Sequence, residues 1–233
     1  MDVKGRTAIV FGGTSGIGLA TSIKLMAMGA SVTAVSRNPA KSDLPATLST
    51  AAVDVCDAAA VEAFFNDQPE IDILVNSATG GGRAIGPFAE MDVDGFKNSF
   101  AKLWGYSHVL RFGIDKMAKD GSIVLVSGTP ARRCKPGLVA LSAVGGAVEA
   151  LVRAVAPEIA PIRLNVVSPG FIDTPMVSLS GAERAAHYEK LTKDHAIARA
   201  GTADEVADAI LFAIQNDFVT GTTIDVDGGW LLA

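Results

Sequence analysis

Short apolar runs alternating with amphipathic stretches constrain the fold of this chain more than any other feature. The runs are Thr7–Phe11, Ser31–Ser36, Thr50–Asp54, Ile71–Asn76, Ser122–Ser127, Arg163–Val167 and Thr223–Val226. Most are continuously apolar, the pattern of strands covered on both faces. Helical patterns lie between them at Ile17–Met28, Ala58–Asn66, Val93–Met117, Leu138–Ile159 and Ala203–Gln215, with Asp57 and Thr202 placed as N-caps. Such alternation implies parallel strands with right-handed crossovers. The expected fold is α/β, a doubly wound parallel sheet of about seven strands flanked by helices. A length of 233 residues fits one domain, 1–233. The stretch from Pro169 to Ala200 is long for a plain connection and reads as a partly helical flap over a site, about residues 171–200.

The first strand runs into Gly12-Gly13-Thr14-Ser15-Gly16-Ile17-Gly18. Glycines there permit a tight turn and close approach of the backbone to a pyrophosphate. The helix that follows aims free N–H groups and its positive end at the phosphates. The position between a strand and a helix is the context such a motif requires, and makes the sheet Rossmann-type. The second strand ends at Ser36-Arg37, without the acidic residue that would bind the ribose 2′-hydroxyl of NAD. A serine and a guanidinium suit a 2′-phosphate, so NADP(H) is the expected cofactor. The plain alternative is that Arg37 is a solvated loop arginine.

The G-x-x-x-G-x-G spacing resembles the short-chain dehydrogenase/reductase family, and the resemblance runs along nearly the whole chain. Asp54-Val55 follows the third strand, where the family contacts adenine. Asn76-Ser77-Ala78-Thr79 resembles its N-N-A-G segment, with Thr79 in place of a glycine. Asn165-Val166-Val167-Ser168-Pro169-Gly170 matches N-x-x-x-P-G, with Ile172 and Thr174 following, and Val226-Asp227-Gly228-Gly229 matches V-D-G-G. The resemblance implies cofactor contacts from Gly12, Thr14, Ser15, Gly16, Ile17, Gly18, Ser36, Arg37, Asp54, Val55, Asn76, Ala78, Pro169, Gly170, Ile172 and Thr174.

The family's proton relay is a Tyr-x-x-x-Lys pair on the helix after the fifth strand. Alignment on Ala147-Val148-Glu149-Ala150-Leu151 places Leu141 at the tyrosine and Gly145 at the lysine, and neither can transfer a proton. The chain's only tyrosines, Tyr106 and Tyr188, lie elsewhere. Gly128 takes the catalytic serine's place, with Ser127 and Thr129 beside it, and Lys102 stands at the family asparagine. Reduction of a ketone needs an acid, so the candidate catalytic residues are Ser127, Lys102 and Arg133, with Arg132 beside it. The alternative for Arg132, Arg133 and Lys135 is a solvated basic loop. An iminium substrate needs no acid, and offshoots of the family in fungal alkaloid pathways that lack the relay include iminium reductases. The leading expectation is an NADPH-dependent oxidoreductase with a non-standard catalytic centre, acting on an iminium, imine or carbonyl of a small metabolite. The alternatives are a non-redox cofactor-binding protein and a cyclase using the pocket as a template.

A net charge of −5 shows no basic face for nucleic acid, and no apolar run is long enough to span a membrane. The N-terminal residues Met1–Gly5 have no signal-peptide apolar region, and Cys56 and Cys134 cannot build a disulfide framework, so a cytoplasmic location is expected. His108, His187 and His195 lack metal-ligand spacing, and no metal is expected. The family resemblance implies a homodimer or homotetramer through the two long helices, around Trp104, Val109, Phe112 and the small residues Gly145, Gly146 and Ala147. Trp230-Leu231-Leu232 belongs either to an interface or to the chain's own core.

Overall fold

The computed structural model describes residues 1–41 and 44–232. Its strands are β1 (Thr7–Phe11), β2 (Ser31–Ser36), β3 (Ser49–Ala52), β4 (Ile71–Asn76), β5 (Met117–Val126), β6 (Arg163–Pro169), β7 (Ile172–Asp173), β8 (Gly201–Thr202) and β9 (Thr223–Val226). Seven of them form one parallel sheet in the order β3-β2-β1-β4-β5-β6-β9. The helices are α1 (Gly16–Ala27), α2 (Ala58–Asn66), α3 (Val93–Ser99), α4 (Ala101–Gly113), α5 (Val139–Val155), α6 (Gly181–Thr192) and α7 (Ala203–Gln215). The doubly wound Rossmann-type sheet read from the apolar runs is the observed fold.

The apolar runs are continuous because both faces of the sheet are covered. On one face Leu25 of α1 and Val206, Ile210 and Ile214 of α7 pack over Val10, Val75 and Val124. On the other, Phe65, Val109, Val148 and Val152 from α2, α4 and α5 pack over Phe11, Leu74 and Leu125. Each fully buried side chain of this size contributes about 1.5–3 kcal/mol. Asp57 caps α2 by accepting from the Ala60 N–H at 3.1 Å, and Thr202 forms a capping box with Glu205 on α7.

The helix expected over Val93–Met117 is three pieces. It breaks at Phe100 into α3 and α4, then ends in a short turn, and Met117 already belongs to β5. At the break the Ser99 hydroxyl donates back to the Gly95 carbonyl at 2.9 Å and accepts the Ala84 N–H at 2.9 Å. Such back-bonding bends helices. Regular pairing of β5 with β4 runs from Ser122, and a register shift separates it from the Met117 contact. Strand order reverses between β1 and β4, so a crevice opens at the carboxyl ends of these strands, where α/β sheets bind ligands. The two ends of the segment from Phe171 to Ala200 are held together by β7 and β8, which pair Ile172 with Gly201 and Asp173 with Thr202.

Candidate active site

Two adjoining cavities occupy the crevice. The first, about 330 Å³, is lined by the β1–α1 turn, Ser36-Arg37, Val53-Asp54-Val55, Ser77–Gly80 and Thr174–Met176. The second, about 350 Å³, is bounded by Lys102, Ser127–Pro130, α5 and the segment bearing α6. Ile17, Ser77, Thr79, Thr174 and Met176 line both, so a ligand crossing from one to the other passes them.

The glycine turn is shaped by its own packing. Gly12 adopts φ +75°, and a Cβ there would lie 2.7 Å from the Ser77 hydroxyl; one on Gly18 would lie 2.1 Å from the Gly12 carbonyl oxygen. This brings the N-terminus of α1 against β4. The helix carries no acidic residue in its first turn, and its N-cap, Ser15, makes no side-chain bond to it, so its first N–H groups are left for a ligand. Two buried polar atoms nearby have no partner, the Ser36 hydroxyl and the Asn76 side-chain nitrogen. The Asn76 oxygen is occupied by the Ala78 N–H at 3.1 Å. Arg37 is exposed, forms neither a hydrogen bond nor an ion pair among the described residues, and lines the same cavity. An elongated polyanion fits this donor set, with a phosphate at Ser36 and Arg37. Gly12, Thr14, Ser15, Gly16, Ile17, Gly18, Ser36, Arg37, Asp54, Val55, Ala78 and Thr174 all line this cavity, and Pro169, Gly170 and Ile172 line the second. Asn76 lies behind the lining at the end of β4, fully buried.

The second cavity holds a chain of contacts built on Ser127, the residue that follows β5. Its hydroxyl donates to the Gly145 carbonyl at 3.2 Å, and its own carbonyl accepts the Lys102 ammonium at 3.2 Å. The ammonium also lies 5.4 Å from the centre of the Tyr106 ring. Burial, and secondarily the charge of Arg83, lower the Lys102 pKa to about 7. Lys102 therefore passes between ammonium and amine near neutral pH, inside the cavity.

Leu141 and Gly145 of α5 line this cavity as well. A Cβ on Gly145 would lie 3.0 Å from the Ala131 methyl and 3.2 Å from the Ser127 hydroxyl, so a longer side chain there must displace both. The Tyr106 hydroxyl is fully buried and donates to the Val126 carbonyl at 2.8 Å, and burial raises its pKa, so its proton stays in place. Tyr188 of α6 lines the cavity, but its hydroxyl donates to the Ile172 carbonyl at 3.2 Å and burial raises its pKa too.

Arg133 is not brought in with these groups. Its guanidinium donates to the Trp230 carbonyl at 3.1 Å and does not line the cavity. Arg132 is bound by Asp225 through both terminal nitrogens and by Glu149 at 3.3 Å. Both arginines serve to hold the loop. The Trp230 indole is buried at the cavity's end against Phe171 at 4.5 Å and His195 at 5.4 Å. Sequence reasoning named His187 only as lacking metal-ligand spacing, and missed Phe171 and above all Arg83; all three line the cavity. The available signal was the Gly80-Gly81-Gly82 run just before Arg83, downstream of β4. No cluster of three or more metal-ligating side chains occurs among the described residues.

Comparison with known proteins accords with this architecture. Residues 12–231 match the family model described as enoyl-(acyl carrier protein) reductase. L-xylulose reductase of Mesocricetus auratus is 31% identical over 100% of this chain and 99% of its own. A small-chain dehydrogenase crystallised in complex with NADPH superposes with a TM-score of 0.88 at 32% identity, covering 99% of this chain and 100% of that one. A reductase/Diels-Alderase from Malbranchea aurantiaca superposes with a TM-score of 0.86 at 24% identity, over 99% of this chain and 97% of that one, a likeness of fold alone. From the glycine turn to the C-terminal strand, the chain belongs to the short-chain dehydrogenase/reductase family.

Proposed function

We propose that the protein is an NADPH-dependent carbonyl reductase in which Lys102 replaces the family's tyrosine as proton donor. The observation that carries the reading is the Lys102 ammonium, held against the Ser127 carbonyl within the second cavity and set to release its proton near pH 7. NADPH fits the first cavity through the α1 N-terminus, Ser36 and Arg37, and the small-chain dehydrogenase of similar structure binds that cofactor. When bound, it supplies hydride to the substrate's carbonyl carbon. Lys102 gives one proton to the carbonyl oxygen, becomes a neutral amine, and regains a proton from water. Ser127 fixes Lys102 through its backbone carbonyl. Leu141 and Gly145 take the places of the family's tyrosine and lysine and shape the cavity without titrating. Residues 171–200 act as the substrate flap, with Arg184 binding Asp173 and the Thr174 carbonyl to hold its entry strand.

A preformed iminium is the poorer substrate for this cavity, because it would enter beside Lys102 and Arg83. NADPH oxidation measured against a carbonyl panel and a cationic imine panel tests the reading. Carbonyl turnover should fall as pH rises through about 7, since only the ammonium form of Lys102 can donate. Turnover confined to the cationic panel and flat across neutral pH would overturn it. Intact NADPH binding with no oxidation in either panel would point instead to a non-redox protein.

A further inference from the structure

Arginines show which charges of a folded chain are left for a ligand. Arg6, Arg111, Arg132, Arg153, Arg163, Arg184 and Arg199 are ion-paired, and Arg133 binds a carbonyl. Only Arg37 and Arg83 have neither a hydrogen bond nor an ion pair among the described residues, and each lines a cavity. Arg37 has an anion assigned to it by the cofactor fit. Arg83 has none.

The placement of Arg83 is built into the backbone. Gly80 adopts φ +67°, and a Cβ there would lie 2.7 Å from the Ala101 carbonyl carbon and 2.8 Å from the Lys102 nitrogen. A Cβ on Gly81 would lie 2.4 Å from the Asn98 side-chain oxygen. On the other side of Arg83, the Ala84 N–H donates to the Ser99 hydroxyl at 2.9 Å. The loop is therefore clamped to the α3–α4 junction both before and after Arg83. The clamp holds Arg83 at the rim, near enough for its charge to lower the Lys102 pKa. Like charges are brought together here, and no aspartate or glutamate lines the cavity to offset them among the described residues. The remainder of the wall is largely apolar, including Leu141, Val144, Phe171, Leu191 and Trp230.

We propose that the substrate is an oxo acid, a small carbonyl compound with an apolar tail and one carboxylate, and that Arg83 binds the carboxylate. This rests on the reductase reading above. The planar guanidinium matches a carboxylate with two parallel N–H bonds, and the one arginine in a largely apolar wall suits a monoanion better than a phosphate dianion, which calls for more charged donors. The bound carboxylate also offsets the repulsion between Arg83 and Lys102.

The test compares oxo acids with their methyl esters, using phenylpyruvate and 2-oxohexanoate as probes and the NADPH-loaded full chain. The expected result is a kcat/KM about 10- to 100-fold higher for each acid than for its ester, the range of one charge-assisted bond. In Arg83→Met that ratio should fall toward one, and Arg83→Lys should restore part of it. A second measurement needs no turnover. Calorimetric titration of hexanoate, which cannot be reduced, into the NADP⁺-loaded protein should show binding that Arg83→Met weakens. Equal use of acid and ester with no hexanoate binding would overturn the oxo-acid assignment while the reductase reading stands. Hexanoate binding that depends on Arg83, with no carbonyl reduced, would overturn the reductase reading while the anion site stands. A preference for a phosphorylated ketone over the oxo acids would also overturn the assignment.

Discussion

Two basic regions, the loop after β5 and the wall of the second cavity, differ in whether carboxylates meet their charges. In the loop after β5, Arg132 is bound by Asp225 and Glu149, and Arg133 holds the Trp230 carbonyl. Lys135 lies over the Trp230 ring at 4.8 Å. In the wall of the second cavity, Arg83 and Lys102 have no carboxylate partner among the described residues, and Lys102 is reduced to one carbonyl and one ring face. The first arrangement spends its charges on holding the chain in place, whereas the second keeps them at a cost in stability. Uncompensated charges in clefts are concentrated at functional sites, and this makes Lys102 and Arg83 the candidates among these residues.

Substitution of Lys102 has the largest expected effect. Lys102→Met should lower kcat/KM for carbonyl reduction by about 10²- to 10⁴-fold, the usual value of a general acid, in a steady-state NADPH oxidation assay. The same substitution should raise the melting temperature, because it removes a desolvated ammonium and keeps the apolar stem. The pH dependence carries a sign that checks this. Folding depresses the Lys102 pKa from its ordinary 10.5 to about 7, so between those values the unfolded chain binds a proton that the folded one lacks. Stability should therefore rise with pH across that window, and Lys102→Met should flatten this contribution. A melting temperature that falls on substitution, with turnover retained, would place Lys102 among the structural charges.

A smaller effect is expected from the opposite region. Arg132→Ala leaves Glu149 buried with only Arg153, at 3.9 Å, to offset it. Breaking such a pair costs about 3–5 kcal/mol when both partners are buried; the half-exposed guanidinium and the surviving Arg153 reduce this to about 1–3 kcal/mol. Denaturant unfolding should show the loss, and kcat/KM per folded molecule should hardly change. The smallest effect concerns the other unpaired arginine. Arg37→Ala should weaken NADPH binding by about tenfold, one exposed charge-assisted contact, and leave NADH binding unaltered in a fluorescence titration. Equal loss for both cofactors would move Arg37 away from the 2′-phosphate.

The two halves of the crevice were unequally legible. The nucleotide half is made of backbone, and its requirements are local: glycines at 12, 16 and 18, a strand before them and a helix after. Spacing along the chain reports all of this. The second half is made of side chains from widely separated segments. That Leu141 and Gly145 cannot transfer a proton is legible in the sequence, but not which basic groups share their cavity. Lys102 came into view only through its alignment with a family asparagine. Arg132 and Arg133 were candidates because the loop after the fifth strand borders the substrate pocket in the family, while the carboxylates that neutralise Arg132 come from α5 and β9. The break in the long helix was hidden for a similar reason, since the Ser99 hydroxyl bends it with help from Ala84 in a different loop.

The amino-acid sequence by itself determined the strand–helix alternation, the parallel doubly wound sheet and the glycine turn beneath a nucleotide, because hydrophobic period and backbone freedom act over a few neighbouring residues. Tertiary structure alone decided which charges are spent and which remain. An ion pair depends on groups that the fold brings together from distant segments, and a lysine's proton affinity depends on how much water the fold removes from around it. Those two quantities separate Lys102 and Arg83 from the basic loop after β5, and neither is written in the order of the chain.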